Sequence, residues 1–520
     1  MTCAELGESQ MTCETGLPRV HIELLRVQTW LFAVPRLRAM VGANALLAET
    51  LRVTLPALAR ETGRGWTLAS APEHDRYPIA DPDDPLAAYD NPAADAKDGI
   101  LARDGGHFLA VFANGAEAFA DAATQHLRSN LPGLPFRITI SGKLHTRNLA
   151  HLPTELPAFA PCPWTGRGLA SYLVRQGGEF HEVSLAAKQR HDTSRKVEKG
   201  QSSDLASLLL SKTKLSVLER PLELQELVDN GYLALIHADG NDLGRGLGKD
   251  STDSQRARFY HRNRVLLRRA LARAIDEVCA SDEAPQPISP LVPLMLGGDD
   301  LLLVCRAEIA LPFVVSLCKA LEDLQTARND FKLTLGIGVV IARHTVPIHR
   351  LHEVAAQLAG SAKRRYRGLG AEEKCSVVDW AVFTTAWVDN PEDVRRRDWL
   401  RCSENEFRIL SQRPVNVLGN GLTSLQGLVA AAQDLKVAPR SQLRYLVDQL
   451  PRGRMLSELA FTESPSTVKA SLSSAGVTSL WRRVGDAWIT ALLDLIEIAE
   501  ISRLGRNSGR AAVGQEAVHA

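Results

Sequence analysis

The sequence predicts an α+β protein that carries one strand–helix–hairpin–helix–strand unit twice and ends in an α-helical domain. Three observations lead there. Leu291 to Cys305 (LVPLMLGGDDLLLVC) holds two apolar runs of strand length meeting at Gly297-Gly298-Asp299-Asp300, which reads as a hairpin with a polar tip. The same order of elements, each time around a Gly-Gly hairpin, is legible from Arg19 to Ser141 and again from Tyr232 to Ala342. From Arg395 to Arg503 apolar residues recur at helical spacing with short breaks, as in SLQGLVAAAQDL, SQLRYLVDQL and TSLWRRVGDAWITALLDLIEIAEI.

Taken in order, residues 1–17 read as unstructured, and 18–150 hold the first unit. There RVHIELLRVQTW is a strand entering a helix over Leu31–Leu55, and Gly63–Gly99, rich in Pro, Asp and Ala, reads as an exposed loop. Gly105-Gly106-His107-Phe108 forms the hairpin, followed by a helix over Ala116–Ser129 and a strand over Phe136–Ser141. Residues 151–228 are a mixed linker domain with a Pro-rich entry and the basic run KQRHDTSRKVEKGQ, whose His191-Asp192 reads as a solvated loop pair. The second unit spans 229–390: strand Tyr232–Ala238, helix Ser254–Cys279, the Leu291–Cys305 hairpin, helix Glu308–Ala327, strand Phe331–Ala342, helix Ile348–Arg367 and strand Cys375–Trp380. Residues 391–505 are the helical domain and 506–520 a disordered tail.

Composition bounds the rest. The 520 residues are 45% hydrophobic and 23% charged, as in a globular protein of about three or four domains. A net charge of +1 gives no global sign of nucleic-acid binding, so any such surface must be a local patch. The arginines from Arg256 to Arg273 and the run Arg395-Arg396-Arg397 are the two candidates. Apolar runs are broken by charge before they could span a membrane, and the N-terminus lacks a signal-peptide pattern, which points to a cytoplasmic protein. The eight cysteines are scattered with no CxxC pair, so reduced thiols are expected and zinc is not.

The chemistry concentrates at two acidic tips. Asp is poor in strands and Gly-Gly admits positive φ, so the GGDD turn suits metal-holding carboxylates beside bare backbone that lets a nucleotide come close. On the quartet alone, an ordinary hairpin with a polar turn explains the pattern as well. Upstream, GYLALIHADGNDLG is a buried strand ending at Asp239 and running into Gly240-Asn241-Asp242. Carboxylates on neighbouring strand ends are what Mg²⁺-dependent phosphoryl transfer uses, and Asp239 opposite Asp299 fits that need. In the first unit GGHF replaces GGDD and Arg26 or Val27 falls near the place of Asp239, so that copy lacks the metal carboxylates.

ADGNDLG, LGGDDLLLV and LTLGIGVVIARHTVPIHRLHEVAAQLAGSAKR together resemble the second palm of the large polymerase- and cyclase-like subunit of type III CRISPR effectors. The resemblance implies two ferredoxin-like palm domains of the nucleotidyl cyclase/polymerase type, the first degenerate, plus the helical C-terminal domain. It implies an enzyme that turns ATP into cyclic oligoadenylate with Mg²⁺ or Mn²⁺, working with other effector subunits and guide and target RNA and with no membrane. By position, Asp239, Asp299 and Asp300 would be catalytic metal ligands. Gly297 and Gly298 would line the nucleotide, Gly240, Asn241 and Asp242 would sit by its phosphates or ribose, and Lys363 would meet the triphosphate. Two departures stand out: no HD nuclease domain precedes the first palm, so DNA cleavage is not expected, and the family's zinc cysteines are absent, leaving Cys162 alone. The same hairpin and strand-end Asp would also serve a GTP-using, diguanylate-cyclase-like enzyme, and a catalytically silent scaffold of an RNA-guided complex is the third reading.

Overall fold

A computed structural model describes residues 16–61, 63–149, 160–176, 178–228, 231–245, 247, 251–279, 288–326, 331–384, 390–403 and 406–504. The predicted unstructured N-terminus, apart from its last two residues, and the predicted disordered tail lie outside these residues. The fold is α+β, with two ferredoxin-like palms and a C-terminal part that is mainly helical. Two compact units divide the chain, one of residues 1–212, 247–269 and 294–299, the other of residues 213–246, 270–293 and 300–520.

In the first palm, β1 (Arg19–Leu24), β2 (Thr67–Leu68), β3 (Ile100–Ala102), β4 (His107–Asn114), β5 (Phe136–Ile140) and β6 (Lys143–Asn148) form one sheet. Its order is β2-β4-β1-β5-β6, with β3 also on β4, and β1 is antiparallel to both neighbours. Val20, Ile22 and Leu24 alternate with His21 and Glu23 along β1, so one face is buried and the other carries polar side chains. A separate hairpin, β7 (Tyr172–Gln176) with β8 (Glu179–Val183), belongs to the same unit.

The second palm contributes β9 (Tyr232–Gly240), β10 (Leu291–Gly297), β11 (Asp300–Arg306), β12 (Leu335–Arg343) and β13 (Val377–Phe383). With β16 (Val415–Asn416) they form a sheet in the order β10-β11-β9-β12-β13-β16, so the β11-β9-β12 core repeats β4-β1-β5 of the first. Here β9, β11 and β12 are buried almost without alternation, because both faces are covered. The helix Ile348–Gly368 turns Leu351, Val354, Ala355, Leu358 and Ala362 inward at helical spacing. It runs close over β12, where a side chain at Gly338 would meet the Ala355 carbonyl oxygen at 2.0 Å.

The C-terminal part departs from an all-helical reading. β14 (Leu400–Ser403), β15 (Glu406–Ile409), β17 (Arg482–Val484) and β18 (Ala487–Ile489) form a four-stranded sheet, while β16 (Val415–Asn416) joins the palm. WRRVGDAWIT is therefore a tight hairpin about Gly485, and only Leu492–Leu504 of that stretch is helical. Other expected boundaries shift too: the helix expected over Leu31–Leu55 is broken into Val27–Leu31, Leu37–Glu49 and Leu55–Arg60 with a wider turn at Thr50–Thr54.

The stretch read as an exposed loop over Gly63–Gly99 is partly core. Asp84 and Asp90 are buried in it and take the Arg268 guanidinium at 2.7 and 2.8 Å, Arg264 reaches Asp90 at 3.3 Å, and Arg269 reaches Asp83 at 3.2 Å. These arginines serve the first unit's own packing, which removes them from the basic surface the sequence offered. Arg395 is likewise tied to the fully buried Asp379 at 2.5 Å. His191, expected in a solvated loop, is buried on the helix Leu185–Glu198 against Trp164, while Asp192 pairs with Lys188.

Candidate functional site

Strand register builds the acidic site. Leu301 pairs with Ala238 in the antiparallel β9–β11 ladder, so the next step places Asp300 across from Asp239. Asp299 stands in the two-residue turn of the β10–β11 hairpin, whose other residue, Gly298, has φ +64, a conformation glycine adopts without strain. Carboxylate oxygens of Asp239, Asp299 and Asp300 all lie within 4.8 Å of one another, each residue half-buried, and among the described residues no other His, Cys, Asp or Glu group of three meets that test.

Lys363, from the Ile348–Gly368 helix, forms an ion pair with Asp239. The route is opened by Gly336, which pairs with Asp239 in the β9–β12 ladder. A side chain there would come 2.5 Å from Lys363 Cγ and 3.1 Å from Asn241 Oδ1. Asn241 is buried, its backbone N–H donates to the Thr334 carbonyl at 2.8 Å, and its Nδ2 donates to Thr334 Oγ1 at 3.1 Å. Asp242 follows with φ +54, in the left-handed region, and accepts from Lys374 Nζ at 2.8 Å. The Lys374 ammonium also sits 4.7 Å over the Tyr366 ring. Gly240 ends β9, and a side chain at Gly297 would lie 3.7 Å from Gly105 Cα, so the two Gly-Gly turns touch within the first unit.

Electrostatics favour a cation here. Three carboxylates held this close repel one another, and a cation between them relieves that repulsion. Three carboxylates at this spacing offer the oxygen donors that hard divalent cations take. Burial pushes the Tyr260 hydroxyl above its ordinary range, and the charge of Asp299 adds to the effect. Burial likewise lowers His237, two residues before Asp239, below its ordinary value.

The predicted residues therefore come together around the end of β9 and the hairpin tip. Sequence reasoning missed Gly336, Gly338 and Lys374. The GIG alternation in an otherwise apolar strand was the available signal for the first two, since glycine inside a strand marks a close approach.

The first palm's register corrects one expectation. Glu23, not Arg26 or Val27, falls in the register position of Asp239: Glu23 pairs with His107 across β1 and β4, and continuing the β9–β11 ladder one step past Ala238 and Leu301 sets Asp239 across from Asp300. Arg26 lies beyond the strand, capping a helix at φ +52. Gly105 and Gly106 fill the two turn positions, so Gly106 stands where the second palm has Asp299. Glu23 is neutralised by Arg137 at 2.5 Å, and His107 Nδ1 shares a hydrogen bond of 3.0 Å with His21 Nε2.

Residues 232–368 match the family model for the second palm domain of Cas10/Cmr2. This segment is similar to the Cas10/Cmr2 second palm. It runs from the first residue of β9 to the last of the Lys363 helix, and so contains every predicted site residue. No curated protein matches the chain. Among solved structures it is similar to the apo Csm1–Csm4 cassette, with 12% identity and TM-score 0.41 over 95% of this chain and 72% of that one. The same cassette in complex with cA4 gives 13% and 0.42 over 93% and 70%, and in complex with pppApApA 14% and 0.42 over 95% and 71%. Among the described residues, no helix is long and apolar enough to cross a membrane.

Proposed function

We propose that the chain is a metal-dependent nucleotidyltransferase that makes cyclic oligoadenylate from ATP as a second messenger in type III CRISPR defence, acting with other effector subunits and guide and target RNA. The observation that carries it is the Asp239, Asp299 and Asp300 cluster inside a Cas10/Cmr2 second palm. Those three carboxylates would hold Mg²⁺ or Mn²⁺, which when bound supplies charge neutralisation at phosphate oxygens and lowers the pKa of an attacking hydroxyl. The 3′-hydroxyl of one nucleotide attacks the α-phosphorus of an ATP, the new P–O bond forms as the bond to the bridging oxygen breaks, and pyrophosphate leaves with the hydroxyl proton going to solvent. Gly297 and Gly298 let the nucleotide approach the hairpin backbone, Gly240, Asn241 and Asp242 border its phosphates or ribose, and Lys363 offers its ammonium to the triphosphate.

The test is incubation of the pure protein with each labelled NTP and Mg²⁺ or Mn²⁺, alone and with effector subunits and target RNA, with products resolved by mass. Cyclic or linear oligoadenylate that disappears in Asp299→Ala supports the reading. Cyclic diguanylate would favour the GTP-using enzyme instead. An absence of product under every condition would leave the scaffold.

A further inference from the structure

The contact between Lys363 and Asp239 is arranged so that one carboxylate has two cationic suitors. Asp239 belongs to the acidic cluster, yet its partner in the structure is the Lys363 ammonium. That reach depends on Gly336, because a single point over its Cα, where any other residue would carry Cβ, lies 2.5 Å from Lys363 Cγ and 3.4 Å from Lys363 Cε. The same point is 3.1 Å from Asn241 Oδ1, and that oxygen is buried with no hydrogen-bond partner among the described residues. A buried acceptor left unmade is costly, and here it flanks the stem of a flexible lysine.

We propose that Lys363 is a built-in competitor of the metal: its ammonium holds Asp239 until a divalent cation takes that carboxylate, and then passes to Asn241 Oδ1 or to phosphate oxygens. This rests on the reading of the carboxylate cluster as a metal centre. Gly336 is the positioning residue of the device, since its bare Cα leaves the lysine stem room beside β12. A cation entering without nucleotide must displace the ammonium, whereas one entering with a triphosphate gives the ammonium a new anionic partner. Metal and nucleotide thereby favour each other's binding, and occupancy by a lone cation is suppressed.

The experiment is a titration of the full-length protein with Mn²⁺ alone, free ion being read by electron paramagnetic resonance. Asp299→Ala should abolish the tight site; if binding stays at the wild-type level, the metal-centre reading itself is wrong and this inference goes with it. The discriminating variant is Gly336→Ala, which keeps every charge but pushes the lysine stem aside. Its Mn²⁺ affinity should rise roughly three- to tenfold, and Lys363→Met should rise at least as much. Wild-type Mn²⁺ affinity in both Gly336→Ala and Lys363→Met would overturn the proposal. Unchanged or weaker Mn²⁺ binding by folded Gly336→Ala, with tighter binding by Lys363→Met, would show that only the field of the charge matters and that no exchange occurs.

Discussion

Arg268 and Asp84 are bonded at 2.7 Å with both side chains almost wholly out of water, 2% and 0% exposed. Asp90, at 2.8 Å from the same guanidinium, completes the group, and the arginine and histidine around it hold its carboxyl well below the usual carboxylate range against the cost of burial. Removing the arginine leaves the buried Asp84 without its cation and Asp90 with Arg264 and His261 alone. Arg268→Ala should destabilise the first unit by about 3–5 kcal/mol, read by denaturant unfolding. Substituting the exposed Arg396 should cost under about 0.5 kcal/mol. Equal small losses at both positions would refute the assignment of Arg268 to the core.

At the acidic tip the expectation runs the other way. Asp299→Ala removes one of three mutually repelling carboxylates and no core atoms, so thermal stability should hold or rise while product formation falls below detection. A variant that melts well below wild type would mean that Asp299 has a structural duty.

Gly338 tests how closely the Lys363 helix must lie on the sheet. Its missing side chain leaves room for the Ala355 carbonyl and for the Ala359 backbone nitrogen, 2.0 and 2.6 Å from where a methyl would sit. Since both are backbone, neither can swing away. Gly338→Ala should cost about 1–3 kcal/mol by overpacking, and should lower activity more than Ala substitution at the exposed Gly485 hairpin, because it lifts the helix that carries Lys363.

A pH profile probes the first palm. Burial, helped by His107 and Arg137 and opposed by Glu23, depresses His21 from 6.5 to about 4. The unfolded chain thus takes up this proton first as pH falls, so the contribution of His21 to stability is complete above about pH 6.5 and is lost progressively toward pH 4. Wild type should therefore weaken relative to His21→Leu over that window, and the difference in denaturant midpoint should be flat above it. A difference that grows toward alkaline pH would contradict the neutral, hydrogen-bonded His21–His107 pair.

The strands, the hairpins and the acidic residues were legible because their signals are local: apolar runs, Gly-Gly turns and Asp where strands dislike it. Lys363 stands in the sequence within the basic helix end Lys363-Arg364-Arg365, which suits a helix terminus and a triphosphate equally well, since nothing local tells a helix-end lysine aimed at a carboxylate from one aimed at water. The buried Asp84 and Asp90 were misread because acidic, proline-rich sequence ordinarily faces solvent, and their arginine partners lie far along the chain. WRRVGDAWIT was misread because its apolar residues also fit helical spacing, and the tight turn at Gly485 decided the matter.

The two palms differ at the tip by little chemistry: by register Glu23 occupies the seat of Asp239, and Gly106 and His107 take those of Asp299 and Asp300. Arg137 completes the change by claiming Glu23 for itself. A chain that repeats its scaffold but arms only one copy has its polarity written into covalent order. Among the described residues, whatever needs three carboxylates in one place meets them at one tip only, however alike the two backbones.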